Sequence, residues 1–253
     1  MRIRVIPCLL LHKGGLVKSV KFGNYKYVGD PINAVKIFNE KEVDEIVVID
    51  IDATRDKRQP NFEQIAGIAS EAFMPMGYGG GITSIDEVKK IMFYGAEKVI
   101  INRSAHTNPA LITEAARLFG SQSVVVSIDV KKPIFGGYRV YTDNGKNKTG
   151  FAPAAFAKKM EEAGAGEILL NNIENDGTYN GYDTVLIREV AEAVRIPLVA
   201  IGGAGSIEDF AAAKKSGASA TAAGSMFVFQ RPHQAVLISY PSVQELKTKL
   251  FNS

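Results

Sequence analysis

Two glycine-containing segments carry the residue types that can bind a phosphate group. In each, an apolar run leads into a glycine pair, Gly80-Gly81 in the first segment and Gly202-Gly203 in the second. A second apolar run then ends in Asn102-Arg103 or in Gly224-Ser225. Backbone N–H groups at the carboxyl end of a strand, next to the start of a helix, can hold phosphate oxygens. We therefore predict a phosphate site in each segment; the alternative is that the glycines only form tight turns.

The two segments repeat one pattern at a constant distance along the chain. Gly80 and Gly202 are 122 residues apart, and so are Gly95 and Gly217. A shared offset across separate landmarks indicates an internal duplication, with halves of about residues 1–122 and 123–253. Two phosphate sites on opposite sides of one cavity would fit an elongated ligand with a phosphate at each end.

One acidic residue is the candidate for acid–base chemistry. Asp129 ends an apolar run in the second half, and alignment of the halves places Leu10 at the equivalent position of the first half. Two facing acids could act as general acid and general base. Because one of the pair is a leucine, a two-carboxylate mechanism is not available from these positions. Asp129 is predicted to be catalytic; the alternative is that it only caps the end of a strand.

The other ligand-binding candidates follow predicted strands. They are Lys18, Asp50, Asn171, Asp176, Gly177 and Thr178. The three histidines of the chain lack the spacing of metal ligands, and no serine has an evident His–Asp partner. We expect neither a metal, nor a cofactor, nor a hydrolytic triad.

These residues need a framework that brings strand ends together. Eight short apolar runs alternate with about eight helical segments, which predicts an α/β fold with a parallel sheet. A single (βα)8 TIM barrel over residues 1–253 fits this length better than an open flavodoxin-like or Rossmann sheet, and no G-x-G-x-x-G follows the first strand. The third strand is predicted over residues 73–76, and residues 16–22 are predicted to form an exposed ribbon.

Four charged residues stand at the opposite, amino-terminal ends of predicted strands. They are Arg4, Glu45, Lys98 and Glu167. Two positive and two negative side chains could close into a ring at the bottom of the barrel. The charge pattern alone favours a structural salt-bridge layer, and a polar gate to the interior is the alternative.

The composition excludes several classes of function. A formal net charge of +3 over 253 residues is too small to indicate nucleic-acid binding. The single cysteine, Cys8, excludes an internal disulfide and fits a reducing compartment. No apolar run approaches the ~20 residues that a membrane span needs, and no signal peptide is evident. We expect a cytoplasmic protein.

The chain resembles the cyclase subunit of imidazole glycerol phosphate synthase, from histidine biosynthesis, over nearly its whole length. The segments that carry the resemblance are Ile6-Pro7-Cys8-Leu9, Gly79-Gly80-Gly81-Ile82, Ile128-Asp129, residues 164–170, Asp176-Gly177-Thr178, Gly181-Tyr182-Asp183 and Gly202-Gly203-Ala204-Gly205. The resemblance implies a half-barrel duplication, a bisphosphate ligand and ammonia supplied by a separate HisH-type glutaminase. It also implies that ammonia enters through the charged ring, and that Asp129 is one of two catalytic aspartates.

The departures from that family are concentrated at the predicted site. Leu10 occupies the position of the other catalytic aspartate, and Arg103 replaces a small hydroxyl residue beside Asn102. Asn171-Asn172 replaces a Thr-Ser type pair, and Asp52 a threonine. These departures resemble a divergent branch associated with surface-polysaccharide genes, in which such a pair is thought to supply ammonia to a separate sugar amidotransferase that makes acetamidino sugars. The alternatives are the authentic cyclase and a non-catalytic barrel that binds a phosphosugar or serves as a scaffold.

Overall fold

Eight parallel strands form a closed barrel in the computed structural model, which describes residues 3–134, 136–230, 232–233 and 235–251. The strands are β1 (Arg4–His12), β2 (Ile46–Asp50), β3 (Met76–Gly79), β4 (Lys98–Ile101), β5 (Val124–Lys131), β6 (Glu167–Asn172), β7 (Leu198–Ile201) and β8 (Ala220–Ala223). Each strand pairs in parallel with the next, and β8 pairs with β1. The closure confirms the (βα)8 TIM barrel and excludes an open sheet.

Helices follow the strands around the outside. The α-helices between strands are Pro31–Glu40, Phe62–Ala69, Ile85–Phe93, Ala110–Phe119, Pro153–Glu162, Thr184–Ala191 and Ile207–Lys215, and Val243–Leu246 continues into a π-helix at Lys247–Phe251. Short helices Arg103–Thr107 and Ser225–Val228 follow β4 and β8, and a 3₁₀ turn, Ser121–Ser123, precedes β5. The described residues also form three small hairpins: Gly15–Val20 with Gly23–Gly29, Arg139–Thr142 with Asn147–Lys148, and Phe229–Gln230 with Ala235–Val236. In the part of the chain that is described, no helix has the length and apolar character of a membrane span.

The duplication is visible in the helix starts. Three pairs of helices begin 122 residues apart, at positions 31 and 153, 62 and 184, and 85 and 207. Ser84 and Ser206 each form a capping box with the residue three positions on, Glu87 in the first half and Asp209 in the second. The same local chemistry therefore starts equivalent helices in both halves. The division of the chain near residue 122 stays a prediction.

Two apolar layers pack on either side of the barrel wall. The larger one lies between strands and helices, and the smaller one fills the barrel interior. The interior side chains are Ile6, Cys8, Val47, Ile100, Val125, Leu169, Val199, Ala220 and Ala222. They occupy alternate positions of their strands, because successive side chains of a strand point to opposite faces.

Two local predictions are wrong. The third strand spans Met76–Gly79, not residues 73–76, because its glycines lie inside the strand: a Cβ at Gly79 would be 2.9 Å from the carbonyl oxygen of Ile100. The ribbon after β1 is largely buried, since Leu16 and Val17 pair with the end of β1. Lys18 is therefore buried as well.

Candidate active site

A cavity of about 660 Å³ opens at the carboxyl ends of the barrel strands. Most of the residues predicted to bind ligand line it: Lys18, Asp50, Gly80, Gly81, Asn102, Arg103, Asp129, Asn171, Asp176, Gly177, Gly202, Gly203, Gly224 and Ser225. Thr178 does not line it, and its hydroxyl donates to the Asn175 carbonyl at 2.8 Å. The position of Thr178 is thus that of a turn residue, whereas the other candidates converge on one space.

Packing requires glycine in both glycine pairs, whether or not an anion binds there. Gly80 has φ +120°, and a Cβ there would be 2.3 Å from the backbone oxygen of Asp50. Gly203 has φ +111°, and a Cβ there would be 2.2 Å from the oxygen of Gly181. No side chain fits at either position. The tight-turn explanation thus accounts for these glycines by itself, and a phosphate role needs the surrounding residues.

The residues directly after β4 and β8 have the same backbone conformation, one in each half of the barrel. Asn102 has φ −109° and ψ −80°, and Gly224, which lies 122 residues later, has φ −109° and ψ −77°. Each precedes one of the short helices, so Arg103 and Ser225 occupy equivalent positions at the rim of the cavity. The backbone frame is duplicated, while the side chains on it differ.

Asp129 is the acid at the centre of the polar side of the cavity. It is buried, and its Oδ2 accepts a hydrogen bond from Asn102 Nδ2 at 3.1 Å. Burial raises the pKa of Asp129 to about 7, the charge of Asp176 adds to the rise, and Asn102 and Lys131 oppose it. A carboxyl group with a pKa near neutrality can both accept and donate a proton, which is the requirement for general acid–base chemistry.

A buried lysine lies where β1 and β8 meet. Lys18 Nζ donates to the Cys8 carbonyl oxygen, and burial lowers the pKa of Lys18. A Cβ at Gly224 would be 2.7 Å from Lys18 Nζ, so the absence of a side chain at Gly224 leaves room for the ammonium group. Nearby, Asp176 accepts from Ser19 Oγ at 2.7 Å, and burial raises the pKa of Asp176. The β8 end of the cavity thus has a lysine side chain beside a glycine turn.

Leu10 gives the opposite side of the cavity an apolar surface. It packs against the interior layer together with Ile49 and Ile201. On the polar side, Asn171 Oδ1 is buried and has no hydrogen-bond partner among the described residues, which leaves one acceptor for a ligand. Asn172, by contrast, donates to Asp183 at 2.9 Å and holds the outer wall.

Asp50 holds a loop more than it faces a ligand. Arg58 Nη2 contacts both of its carboxylate oxygens, at 2.8 and 2.7 Å, and the N–H groups of Asp52 and Ala53 donate to Oδ1. Arg58 also lines the cavity. Arg58 is not among the residues that the sequence predicts for the site, although its place in the charged loop after β2 is a signal.

The four charged residues at the other end of the barrel form a closed ring. Arg4 donates to Glu45 and to Glu167, and Lys98 Nζ lies 2.9 Å from Glu45 and 2.8 Å from Glu167. Both glutamates are buried, and no member of the ring lines the cavity. Every charge thus has two partners of opposite sign. Among the described residues no group of three or more His, Cys, Asp or Glu side chains could hold a metal ion.

Comparison with known proteins identifies the family. The model of the family described as "Histidine biosynthesis protein" matches residues 4–232. The chain belongs to this family. It is 52% identical over 247 residues to the "Putative imidazole glycerol phosphate synthase subunit hisF2" of Pseudomonas aeruginosa, covering 97% of this chain and 98% of that protein.

Two further relatives are similar to the chain over most of its length. The "Putative imidazole glycerol phosphate synthase subunit HisF" of Leptospira interrogans is 44% identical over 253 residues, 99% of each chain. The "Imidazole glycerol phosphate synthase subunit HisF" of Alkaliphilus metalliredigens is 43% identical over 225 residues, 88% of this chain and 89% of that one. The chain is a HisF-type subunit, and the resemblance to the cyclase subunit of imidazole glycerol phosphate synthase is confirmed.

Proposed function

We propose that this HisF-type subunit receives ammonia from a glutaminase bound at the amino-terminal end of the barrel and delivers it to the cavity at the other end. The observation that carries the proposal is the charged ring at one end of an apolar interior whose other end opens into the cavity. Ala220 and Ala222 are small members of that interior layer, and a Cβ at Gly77 would point at Ile100 and Val47 of the same layer. Neutral ammonia crosses such a layer at a much lower cost than a charged ion does.

Two exposed aromatic residues support a docking surface at the amino-terminal end. Phe73 precedes β3 and is 86% exposed, and Phe93 ends the helix before β4 and is 83% exposed. Large aromatic side chains are enriched in protein interfaces, where they bury more apolar area than most other residues. Their position beside the ends of β3 and β4 suits a partner that covers the ring.

The acceptor of the ammonia is proposed to be a sugar bound by a separate amidotransferase, in a pathway of surface-polysaccharide synthesis. Leu10 supports this, since the cavity has Asp129 on one side and an apolar surface on the other. Loss of a general acid or base costs ~10²–10⁴ in rate, so the ordinary cyclase reaction would be slow here. The authentic cyclase is the second candidate, favoured by the named HisF relatives at 43% identity.

The partner is tested by mixing the chain with a HisH-type glutaminase from the same organism. We expect a heterodimer by analytical ultracentrifugation, and glutamine hydrolysis that is faster in the complex than in the glutaminase alone. If the glutaminase neither binds nor responds at micromolar concentrations, the ammonia-receiving function is wrong.

The second candidate, the authentic cyclase, is tested with the substrate of the cyclase reaction, a ribulosyl bisphosphate. Turnover of this substrate is measured with ammonium salt as the source of ammonia. We expect no turnover by the wild type at high enzyme concentration, and turnover after Leu10→Asp. Leu10→Asn is the matched control, because it adds a polar group of the same size that cannot exchange a proton. Turnover by the wild type at the rate of Leu10→Asp would establish the authentic cyclase. Failure of Leu10→Asp as well as of the wild type would favour the non-catalytic barrel.

A further inference from the structure

The two ends of the cavity differ in the side chain that follows β4 and β8. Arg103 and Ser225 occupy equivalent positions on nearly identical backbone, and both line the cavity. A serine hydroxyl is neutral, whereas a guanidinium group is a permanent cation with several N–H donors in one plane. The β3/β4 end therefore offers an anion a side-chain partner that the β7/β8 end does not have at the equivalent position.

Within the described part of the chain, the Arg103 side chain has a single, weak ion-pair partner. Its Nη1 lies 3.3 Å from Asp143 Oδ1, and the Arg103 side chain is 46% exposed. Ion pairs between exposed side chains stabilise a protein by no more than about 1 kcal/mol. The neighbouring Arg58 differs, since its Nη2 contacts both oxygens of the buried Asp50 carboxylate, at 2.8 and 2.7 Å. Of these two arginines, Arg103 is the one that a ligand can recruit.

Asp143 keeps other contacts if Arg103 leaves it. Its Oδ2 accepts from Thr142 Oγ1 at 3.1 Å and from Asn147 Nδ2 at 2.5 Å. The next residue, Asn144, anchors the same hairpin by donating to the Ile51 carbonyl oxygen at 3.0 Å. If Arg103 exchanges Asp143 for a ligand, the hairpin therefore keeps its other contacts. The exchange costs only this partly exposed ion pair.

We propose that Arg103 determines ligand specificity at the β3/β4 end of the cavity by binding a phosphoryl group through its guanidinium in exchange for Asp143. A bidentate, charge-assisted pair with a dianion is stronger than a single contact at 3.3 Å, so the exchange favours the ligand. The inference rests on the proposed function in taking the cavity as the functional end of the barrel, and on the two phosphate sites predicted from the sequence. It adds that the two ends bind their phosphates unequally.

The test is a titration of the chain alone with inorganic phosphate, in which calorimetry and phosphorus NMR measure the binding. We expect two classes of site in the wild type. Arg103→Ser, which copies the residue of the other half, should weaken one class by roughly 10–100-fold and leave the other unchanged. Asp143→Asn should strengthen the same class by about 2–5-fold because it removes the competing anion.

Two controls make the outcome specific. Arg55→Ser removes an arginine of the same face that pairs with Asp52 and Asp56 and does not line the cavity, so phosphate binding should not change. In the double variant, Asp143→Asn should have no effect once Arg103 is serine. Circular dichroism and thermal melting establish that each variant is folded.

The inference is overturned if Arg103→Ser binds phosphate as tightly as the wild type or more tightly, since Arg103 would then obstruct the site. It is also overturned if the wild type binds no phosphate. No glutaminase is present in this titration, so a failure here is separate from a failure of ammonia transfer, which appears only in the assay with the partner.

Discussion

Asn102 donates a hydrogen bond to Asp129 across neighbouring strands, with 3.1 Å between Nδ2 and Oδ2. Asn102 also donates to the Ser127 carbonyl oxygen at 3.0 Å, so the amide is fixed by two contacts with β5. This hydrogen bond favours the carboxylate form of Asp129, yet burial outweighs it and the pKa rises to about 7. The residue is thus oriented by one interaction and kept near its titration point by another.

Asp129→Asn should stabilise the protein in a pH-dependent way. The pKa of Asp129 is raised to about 7 on folding, from an ordinary value of 3.8. The folded state therefore binds the extra proton between these values, and the wild type loses stability as the pH rises from about 4 to 7. The asparagine variant lacks this loss and can still accept from Asn102. We expect its advantage in free energy of unfolding to be small at pH 4.5 and to reach about 1–3 kcal/mol at pH 8.

Urea denaturation of both proteins at the two pH values measures this advantage. Only the difference between the variant and the wild type is used, because the raised pKa of Asp176 and the lowered pKa of Lys18 affect both proteins. A constant difference across the pH range would mean that Asp129 titrates normally in the folded state.

We make a second prediction about stability for the charged ring. Lys98→Met leaves the buried Glu45 and Glu167 with Arg4 as their remaining partner in the ring. Removing one member of a buried ionic network leaves uncompensated charge, and we expect a loss of roughly 2–4 kcal/mol in the free energy of unfolding. Lys89→Met is the control, because Lys89 pairs with Asp86 at 3.2 Å on the exposed face of a helix. Its cost should stay below about 0.5 kcal/mol in the same chemical denaturation.

An equal, small cost for both lysine variants would contradict this account of the ring. Such a result would mean that water already solvates Glu45 and Glu167 from the amino-terminal end. The ring would then be a surface feature, and its value as an entrance for ammonia would need support from the partner assay alone.

Two glycines of the cavity should respond differently to alanine. At Gly80 the φ is +120° and a Cβ would meet the backbone of Asp50 at 2.3 Å, so Gly80→Ala should cost at least about 2–4 kcal/mol. At Gly224 the φ is −109°, and the closest atom is Nζ of Lys18, the far end of a flexible side chain. Gly224→Ala should therefore cost less than about 1 kcal/mol. Thermal melting of the two variants compares them, and a similar cost for both would show that Lys18 cannot move aside.

The sequence was informative where a pattern recurred. The offset of 122 residues aligned the glycine pairs, and the same offset separates the first residues of three helix pairs in the structure. Alternation of apolar runs and helices was sufficient for the barrel, since parallel strands buried on both faces form nearly continuous apolar runs. Polar residues after those runs therefore converged on one cavity, as the position of Asp129 beside Asn102 illustrates.

The sequence was uninformative where a contact joins distant segments. The sequence does not distinguish Arg58 from Arg103, but the buried Asp50 holds the first and the half-buried Asp143 pairs with the second. The strand at Met76–Gly79 was misplaced because its glycines have no side chains to carry an apolar signal. The burial of Lys18 depends on a hairpin folding over β1, which no local pattern specifies.

The exposed aromatic residues beside the ring give the last prediction. Phe93→Glu should weaken binding of the glutaminase by at least roughly 10-fold, because aromatic anchors contribute more than 1 kcal/mol each at the centre of an interface. Phe73→Glu tests the other exposed phenylalanine in the same way.

Val185→Glu is the matched control, since Val185 is 66% exposed at the start of the helix after β6, near the opposite end of the barrel. It introduces the same charge and should leave the dissociation constant within about 2-fold. Calorimetric titration with the glutaminase distinguishes the three variants, and equal weakening by Val185→Glu would place the partner elsewhere on the barrel.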